Sequence, residues 1–112
     1  MPRQFTEETL DLVAARLKVL AERTRLQLLN ELRDGEMTVT ELVQETGAGQ
    51  ANVSKHLGLL HREGIVERRK EGLNVYYRIA DPRVFELCEI VCASLESDLD
   101  ARRRVLGARR SR

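Results

Sequence analysis

The chain has 112 residues and a mass of 12.8 kDa, enough for one domain that buries its core without disulfides or a structural metal. Hydrophobic residues are 42% and charged residues 33%, a balance that excludes disordered and fibrous classes. The net charge of only +1, with no apolar run of about 18 residues and no apolar stretch in the first ten, excludes a membrane span and a secretory signal, and leaves a cytoplasmic protein with two free thiols as the expectation.

Leu10, Val13, Leu17 and Leu20 recur at helical spacing and predict an amphipathic helix over about Glu7 to Ala21. A second helix carries Leu26, Leu29 and Leu32 and ends near Asp34-Gly35. Thr38 and Glu41 fit a capping box that opens a short helix with Val39, Leu42 and Val43 on one face. That helix stops at Thr46-Gly47, and Gly47-Ala48-Gly49 makes a tight turn. A fourth helix runs from about Gln50 to Arg62, with Val53, Leu57 and Leu60 facing the core, and Gly64 ends it. Two β-rich runs, Ile65 to Lys70 and Val75 to Ile79, flank a glycine-containing tip and read as a hairpin, with Val75, Tyr77 and Ile79 on its core face. Asp81 and Pro82 suit the N-cap and first position of a last helix, whose apolar stripe is Val84, Leu87, Cys88, Val91, Cys92, Leu95 and Leu99. The fold expected is mainly α with a small β-hairpin. A single domain over 1–105 is followed by a basic tail over 106–112.

Charge is segregated along the chain. Residues 1–46 carry net −3, 47–79 net +3, 80–100 net −5 and 101–112 net +6. The basic middle points to one face built for an anion. A short helix, a three-residue glycine turn and a longer polar-faced helix form a helix-turn-helix, whose second helix fits the DNA major groove. Gln50, Ala51 and Asn52 lie in its first turn, where base edges are met, and Ser54, Lys55, Gly58 and Arg62 project from the same side. Gln and Asn pair with adenine, Lys donates to guanine, and small residues let the helix come close. His61 sits near this side, within reach of phosphate. His56 lies at the margin of the apolar face and reads as a packed, hydrogen-bonded residue. Arg68, Arg69 and Lys70 before the hairpin tip, and Arg78 after it, form a basic wing able to reach a flanking phosphate or minor groove. Each part alone has a plainer reading, since polar helix faces are often merely solvated and edge cations block strand pairing. In this order together they favour double-stranded DNA as partner.

The segments Leu17-Lys18-Val19-Leu20-Ala21, Thr24-Arg25-Leu26, Val53-Ser54-Lys55-His56-Leu57-Gly58-Leu59-Leu60, Gly64-Ile65-Val66, Glu71-Gly72 and Val75-Tyr76-Tyr77-Arg78-Ile79 resemble the ArsR/SmtB family of bacterial winged helix-turn-helix repressors, over roughly residues 7–100. The resemblance implies a homodimer formed by the first and last helices. It also implies an imperfect palindromic operator, and repression relieved by a metal ion, a metalloid or a redox species. Two of the family's sensing motifs are broken here. The arsenic motif E-L-C-V-C-D reads Glu36-Met37-Thr38-Val39-Thr40-Glu41, and hydroxyls do not replace thiolates for a soft ion. The last-helix zinc motif reads Asp81, Arg83, Ser94 and Ser97, with one ligand of four kept.

Cys88 and Cys92 remain, four apart on one helix side with Cβ atoms about 5–6 Å apart. That spacing suits a shared soft metal or metalloid better than a disulfide, which wants about 3.5–4.5 Å. A two-fold dimer could gather four thiols. Cys92 also resembles the last-helix cysteine of the persulfide-sensing branch, but the second-helix partner position holds Asn30. Three readings stay open for the thiols: packing alone, a soft ion, or redox and sulfur sensing. No cofactor is required, and the inducer, if there is one, is small and inorganic. The alternatives are a protein-interaction winged helix and a family regulator that senses no metal or redox species. No catalytic motif is present, so no enzyme is expected. Arg102, Arg109 and their neighbours add non-specific DNA affinity or form a disordered solubilising tail.

Overall fold

The computed structural model describes residues 4–110, with side chains to residue 106. The chain divides into two units, one up to Asp81 and one from Pro82 onward. Of the basic tail expected over 106–112, residues 111 and 112 and the side chains of 107–110, Arg109 included, lie outside the described residues.

In the first unit α1 spans Glu7–Leu20, capped by the Thr6 hydroxyl, which accepts from the Thr9 N–H at 3.2 Å. Helix α2 spans Arg23–Glu31 and passes into a 3₁₀ turn, Leu32–Asp34, where the sequence pattern had implied one continuous helix. Strand β1 is Met37–Thr38, and α3 covers Val39–Thr46. The capping box of α3 is formed in full: the Thr38 hydroxyl accepts from the Glu41 N–H, and the Glu41 carboxylate accepts from the Thr38 N–H. Gly47 ends α3 at φ 73°, a left-handed conformation that side chains rarely adopt. Helix α4 then runs Gln50–Arg62, and β2 (Val66–Glu71) and β3 (Asn74–Ile79) form the hairpin wing.

The hairpin is part of a three-stranded antiparallel sheet of order β1-β3-β2. Met37 pairs with Tyr77 and Thr38 with Tyr76, a strand the sequence reading did not anticipate. Thr38 therefore closes the sheet and caps α3 at once.

The core is built from Leu20, Leu28, Leu29, Leu32, Leu42, Val53, Leu57, Leu60, Ile65, Val66 and Tyr77. Leu26, expected inside with Leu29 and Leu32, is instead exposed, and Leu28 takes the buried place. At 100° per residue, Leu28 and Leu29 with Leu32 centre a narrower stripe, which leaves Leu26 on its flank. Leu10 and Leu17 of the α1 stripe stay exposed in the single chain.

In the second unit α5 runs Val84–Arg110. It starts later than the Asp81-Pro82 signal implied. The Phe85 N–H bonds the Pro82 carbonyl and the Glu86 N–H bonds that of Arg83, so a tight three-residue turn precedes the helix. The Arg83 carbonyl also accepts from Leu87, which makes Arg83 the helix-opening residue. The backbone remains helical through residues 106–110. Leu87, Ile90, Val91, Leu95, Leu99, Val105 and Leu106 are all exposed along α5. Among the described residues no helix is long and apolar enough to cross a membrane.

Candidate nucleic-acid interface

Helix α4 divides cleanly into two faces. Val53, His56, Leu57 and Leu60 are buried, while Gln50, Ala51, Asn52, Ser54, Lys55 and Arg62 are exposed. His61 is half-buried at the boundary. Among the described residues the exposed side chains of this face make no ion pair or side-chain hydrogen bond within the chain. Their donors and acceptors are therefore free for a ligand. The first turn of α4, with Gly49 as an extended N-cap that has no side chain to offer, leaves its backbone N–H groups open.

Gly58 lies on the same side, half-exposed, and an added Cβ there would meet nothing within 4 Å. Nothing in the chain's own packing calls for glycine. Gly58→Ala is thus expected to raise stability by about 0.4–1 kcal/mol in chemical denaturation. If α4 docks closely on DNA, the same methyl lowers DNA affinity. Unchanged affinity would mean that this part of the helix stands off its partner.

The buried face is anchored by a polar network that the sequence only half disclosed. His56 is 8% exposed, and its Nδ1 lies 3.1 Å from Arg25 Nη1. A guanidinium can only donate, so Nδ1 is the acceptor. Arg25 Nε also donates to the Val19 carbonyl at the end of α1. The Glu22 carboxylate caps α2 by accepting from the Arg25 N–H at 2.9 Å, and it stands 3.8 Å from His56 Nδ1. That backbone bond holds Glu22 below the usual carboxylate range. Its contribution is therefore complete above the ordinary value and is lost as pH falls through the lowered one. One cluster thus joins the α1–α2 corner to the middle of α4. Arg25 and Glu22 were not among the expected site residues, and Arg25 stands 31 positions from His56.

The wing separates its cations by strand alternation. Arg68 opposes Tyr77 and Lys70 opposes Val75, on the face that buries Val66 and Tyr77. Arg69 opposes Tyr76 and Glu67 opposes Arg78, on the reverse face. Arg69 donates to both carboxylate oxygens of Glu36, pairs with Glu71, and lies 4.4 Å over the Tyr76 ring. Its guanidinium holds Glu36 below the ordinary carboxylate range. Arg78 pairs with Glu67 at 2.7 Å. Arg68 and Lys70 have no ion pair among the described residues. The three consecutive cations read as one basic tip are thus two exposed, unpaired charges and one engaged one.

On α5, Cys88 is half-buried and Cys92 exposed, and both are free thiols. The Cys92 thiol donates to Glu96 Oε1 at 3.7 Å. The Glu96 charge, then that hydrogen bond, push the thiol pKa up, so less thiolate is present at neutral pH. Among the described residues no group of three or more His, Cys, Asp or Glu could hold a metal ion.

A helix-turn-helix whose second helix has an unpaired polar face, followed by a β-hairpin wing, is the arrangement of winged-helix DNA-binding transcriptional regulators. Residues 22–68 match the family described as bacterial regulatory protein, arsR family. The chain is 38% identical over 87 residues to the biofilm growth-associated repressor of Xylella fastidiosa, covering 78% of this chain and 76% of that protein. Its fold matches the solution structure of a homodimeric winged helix-turn-helix domain from Mycobacterium bovis, at 36% identity and a TM-score of 0.72, over 90% of this chain and 95% of that one. The AntR antimony-specific transcriptional repressor is 33% identical with a TM-score of 0.75, over 88% and 90% of the two chains. The chain belongs to the ArsR family, whose members are regulators of transcription and not enzymes.

Proposed function

We propose that the protein is a homodimeric repressor that binds an imperfect palindromic operator and is released by a thiophilic inorganic inducer. The observation that carries the DNA part is the face of α4. Gln50, Asn52, Ser54, Lys55 and Arg62 are exposed and unpaired directly above a fully buried anchor of Val53, Leu57 and Leu60. Neutral polar and small residues there, with Lys55 and Arg62, suit close approach to base edges and phosphate. Dimerisation is supported by the exposed apolar stripes of α1 and α5, and by the homodimeric relative. Each α4 enters a major groove, so half-site centres fall about 34 Å apart. The C-terminal arginines, Arg102 and Arg109 among them, add on this reading only non-specific attraction.

Selection from a random duplex library tests this directly. The expected product is an inverted repeat with half-sites one helical turn apart, bound by a species that sediments as a dimer. No enrichment, or a monomer at micromolar concentration, overturns the reading.

The sensing part rests on Cys88 and Cys92. Their neighbours Glu89 and Glu96 are anionic, which disfavours a bare thiolate but favours an incoming soft cation that displaces the proton. This supports a soft metal or metalloid over spontaneous oxidation. The antimony-specific relative is consistent with that chemistry within the fold. Titration of the protein–duplex complex with thiophilic ions and, separately, with a persulfide is expected to release DNA for the ions. Cys92→Ser keeps DNA affinity and loses release, with Cys88→Ser the same or weaker. Wild-type release by the double Ser variant would show that the thiols only pack.

A further inference from the structure

The wing carries two faces of opposite electrical character. On one, Arg68 and Lys70 share the side of the buried Val66, paired across the strands with Tyr77 and Val75, and no carboxylate of the described residues pairs with them. This is the side of the sheet turned to the helices, because Val66 and Tyr77 are buried there. On the other face, Arg69 and Arg78 meet three carboxylates, Glu36, Glu67 and Glu71. Two guanidinium charges against three carboxylates leave that face with no surplus to offer a phosphate.

Glu36 is the key to the second face. It lies on the segment just before β1, across β3 from Arg69, which is on β2. β1 is only two residues long and pairs with β3 alone. The Glu36–Arg69 fork therefore reaches from the outermost strand of the sheet to the other edge strand, over the Tyr76 ring. A bidentate Arg–carboxylate contact fixes direction as well as distance. It ties the free edge of the wing to the body of the domain.

We infer that Arg69 and Glu36 form a positioning clamp that sets the attitude of the wing, and that only Arg68 and Lys70 among the consecutive cations meet DNA phosphate. This rests on the DNA-binding reading above. It departs from the simpler expectation that all three cations are phosphate contacts. The clamp acts through geometry, so Arg69 is a positioning residue.

The two alternatives give opposite signs for one substitution. Glu36→Gln removes a negative charge beside DNA and unties Arg69. Were Arg69 a phosphate contact, affinity would rise. As a clamp, affinity falls.

The test measures affinity for the duplex selected by the wild type, and for a scrambled duplex, over a salt series. Glu36→Gln and Arg69→Gln are each expected to weaken binding by about two- to fivefold, the worth of an exposed ion pair. Their salt slopes match wild type, and the double variant is no weaker than either single. Arg69→Lys keeps the charge but not the fork, and behaves as Arg69→Gln. Arg68→Gln instead takes about one unit from the salt slope. Without DNA, faster amide exchange at Met37 and Tyr77 in Arg69→Gln reports the loosened sheet, since the Thr38 N–H is held by Glu41. Tighter binding by Glu36→Gln, wild-type behaviour of Arg69→Lys, or a unit of slope lost in Arg69→Gln overturns the clamp while leaving the DNA reading intact. A wild type that binds no duplex refutes the DNA reading itself.

Discussion

Lys55→Ala and Ser54→Ala are each expected to cost about 1–3 kcal/mol of affinity at the selected operator, and to relax the preference at the base pair each one meets. Both side chains are exposed on α4, one turn in from its N-terminus, and neither is engaged within the chain. Removing them leaves the fold untouched, so the whole loss appears in binding. On scrambled DNA the loss is smaller, because base-edge contacts contribute little there. Competition titrations with the selected and the scrambled duplex separate the two. Equal losses on both would make Ser54 and Lys55 phosphate contacts, and would move sequence reading to Gln50 and Asn52.

The second large effect lies on the opposite face of the same helix. Leu57→Ala is expected to destabilise the fold by about 2–5 kcal/mol, because Leu57 is completely buried and the cavity cannot fully collapse. Domains of this size hold only about 5–15 kcal/mol in total, so such a variant approaches the threshold of folding. Leu73→Ala is the matching control. Leu73 is fully exposed at the wing tip, and its truncation should shift stability by no more than about 0.5 kcal/mol. Urea denaturation of both variants checks the contrast. A mild Leu57→Ala would mean that the neighbours Val53 and Leu60 close over the gap.

Those two faces of α4 were legible from sequence because every signal there is local. Gly47 and Gly49 bracket the turn, the 3.6-residue period marks Val53, Leu57 and Leu60, and the Thr38–Glu41 box lies within four residues. The start of α5 was less so. Asp81-Pro82 is a fair cap signal, but tight bonds at Pro82 and Arg83 delay the helix to Val84. Strand β1 was not legible at all. Two residues show no alternation, and their pairing with Tyr76 and Tyr77 spans nearly forty positions.

The site divides the same way. His56 announced itself as a packed residue, but its partner Arg25 sits on another helix, and sequence holds no mark of that meeting. The split of the wing was partly readable. Consecutive strand residues must alternate faces, so Arg69 had to lie on the side opposite Arg68 and Lys70. What alternation could not supply was Glu36, which Arg69 reaches across 33 positions. The α1 and α5 stripes were visible as patterns, yet their residues are exposed in the single chain. A periodic stripe records that a face is buried somewhere, and does not say against what.

The central claim is that the exposed face of α4 reads bases in the major groove. Dimethyl sulfate protection on the selected duplex tests it most directly, since the reagent methylates guanine N7 in the major groove and adenine N3 in the minor groove. The account predicts two patches of guanine N7 protection one helical turn apart, weakened in Lys55→Ala and unchanged in position by Arg69→Gln. Protection confined to adenine N3, or a footprint with no N7 protection in either half-site, would contradict it.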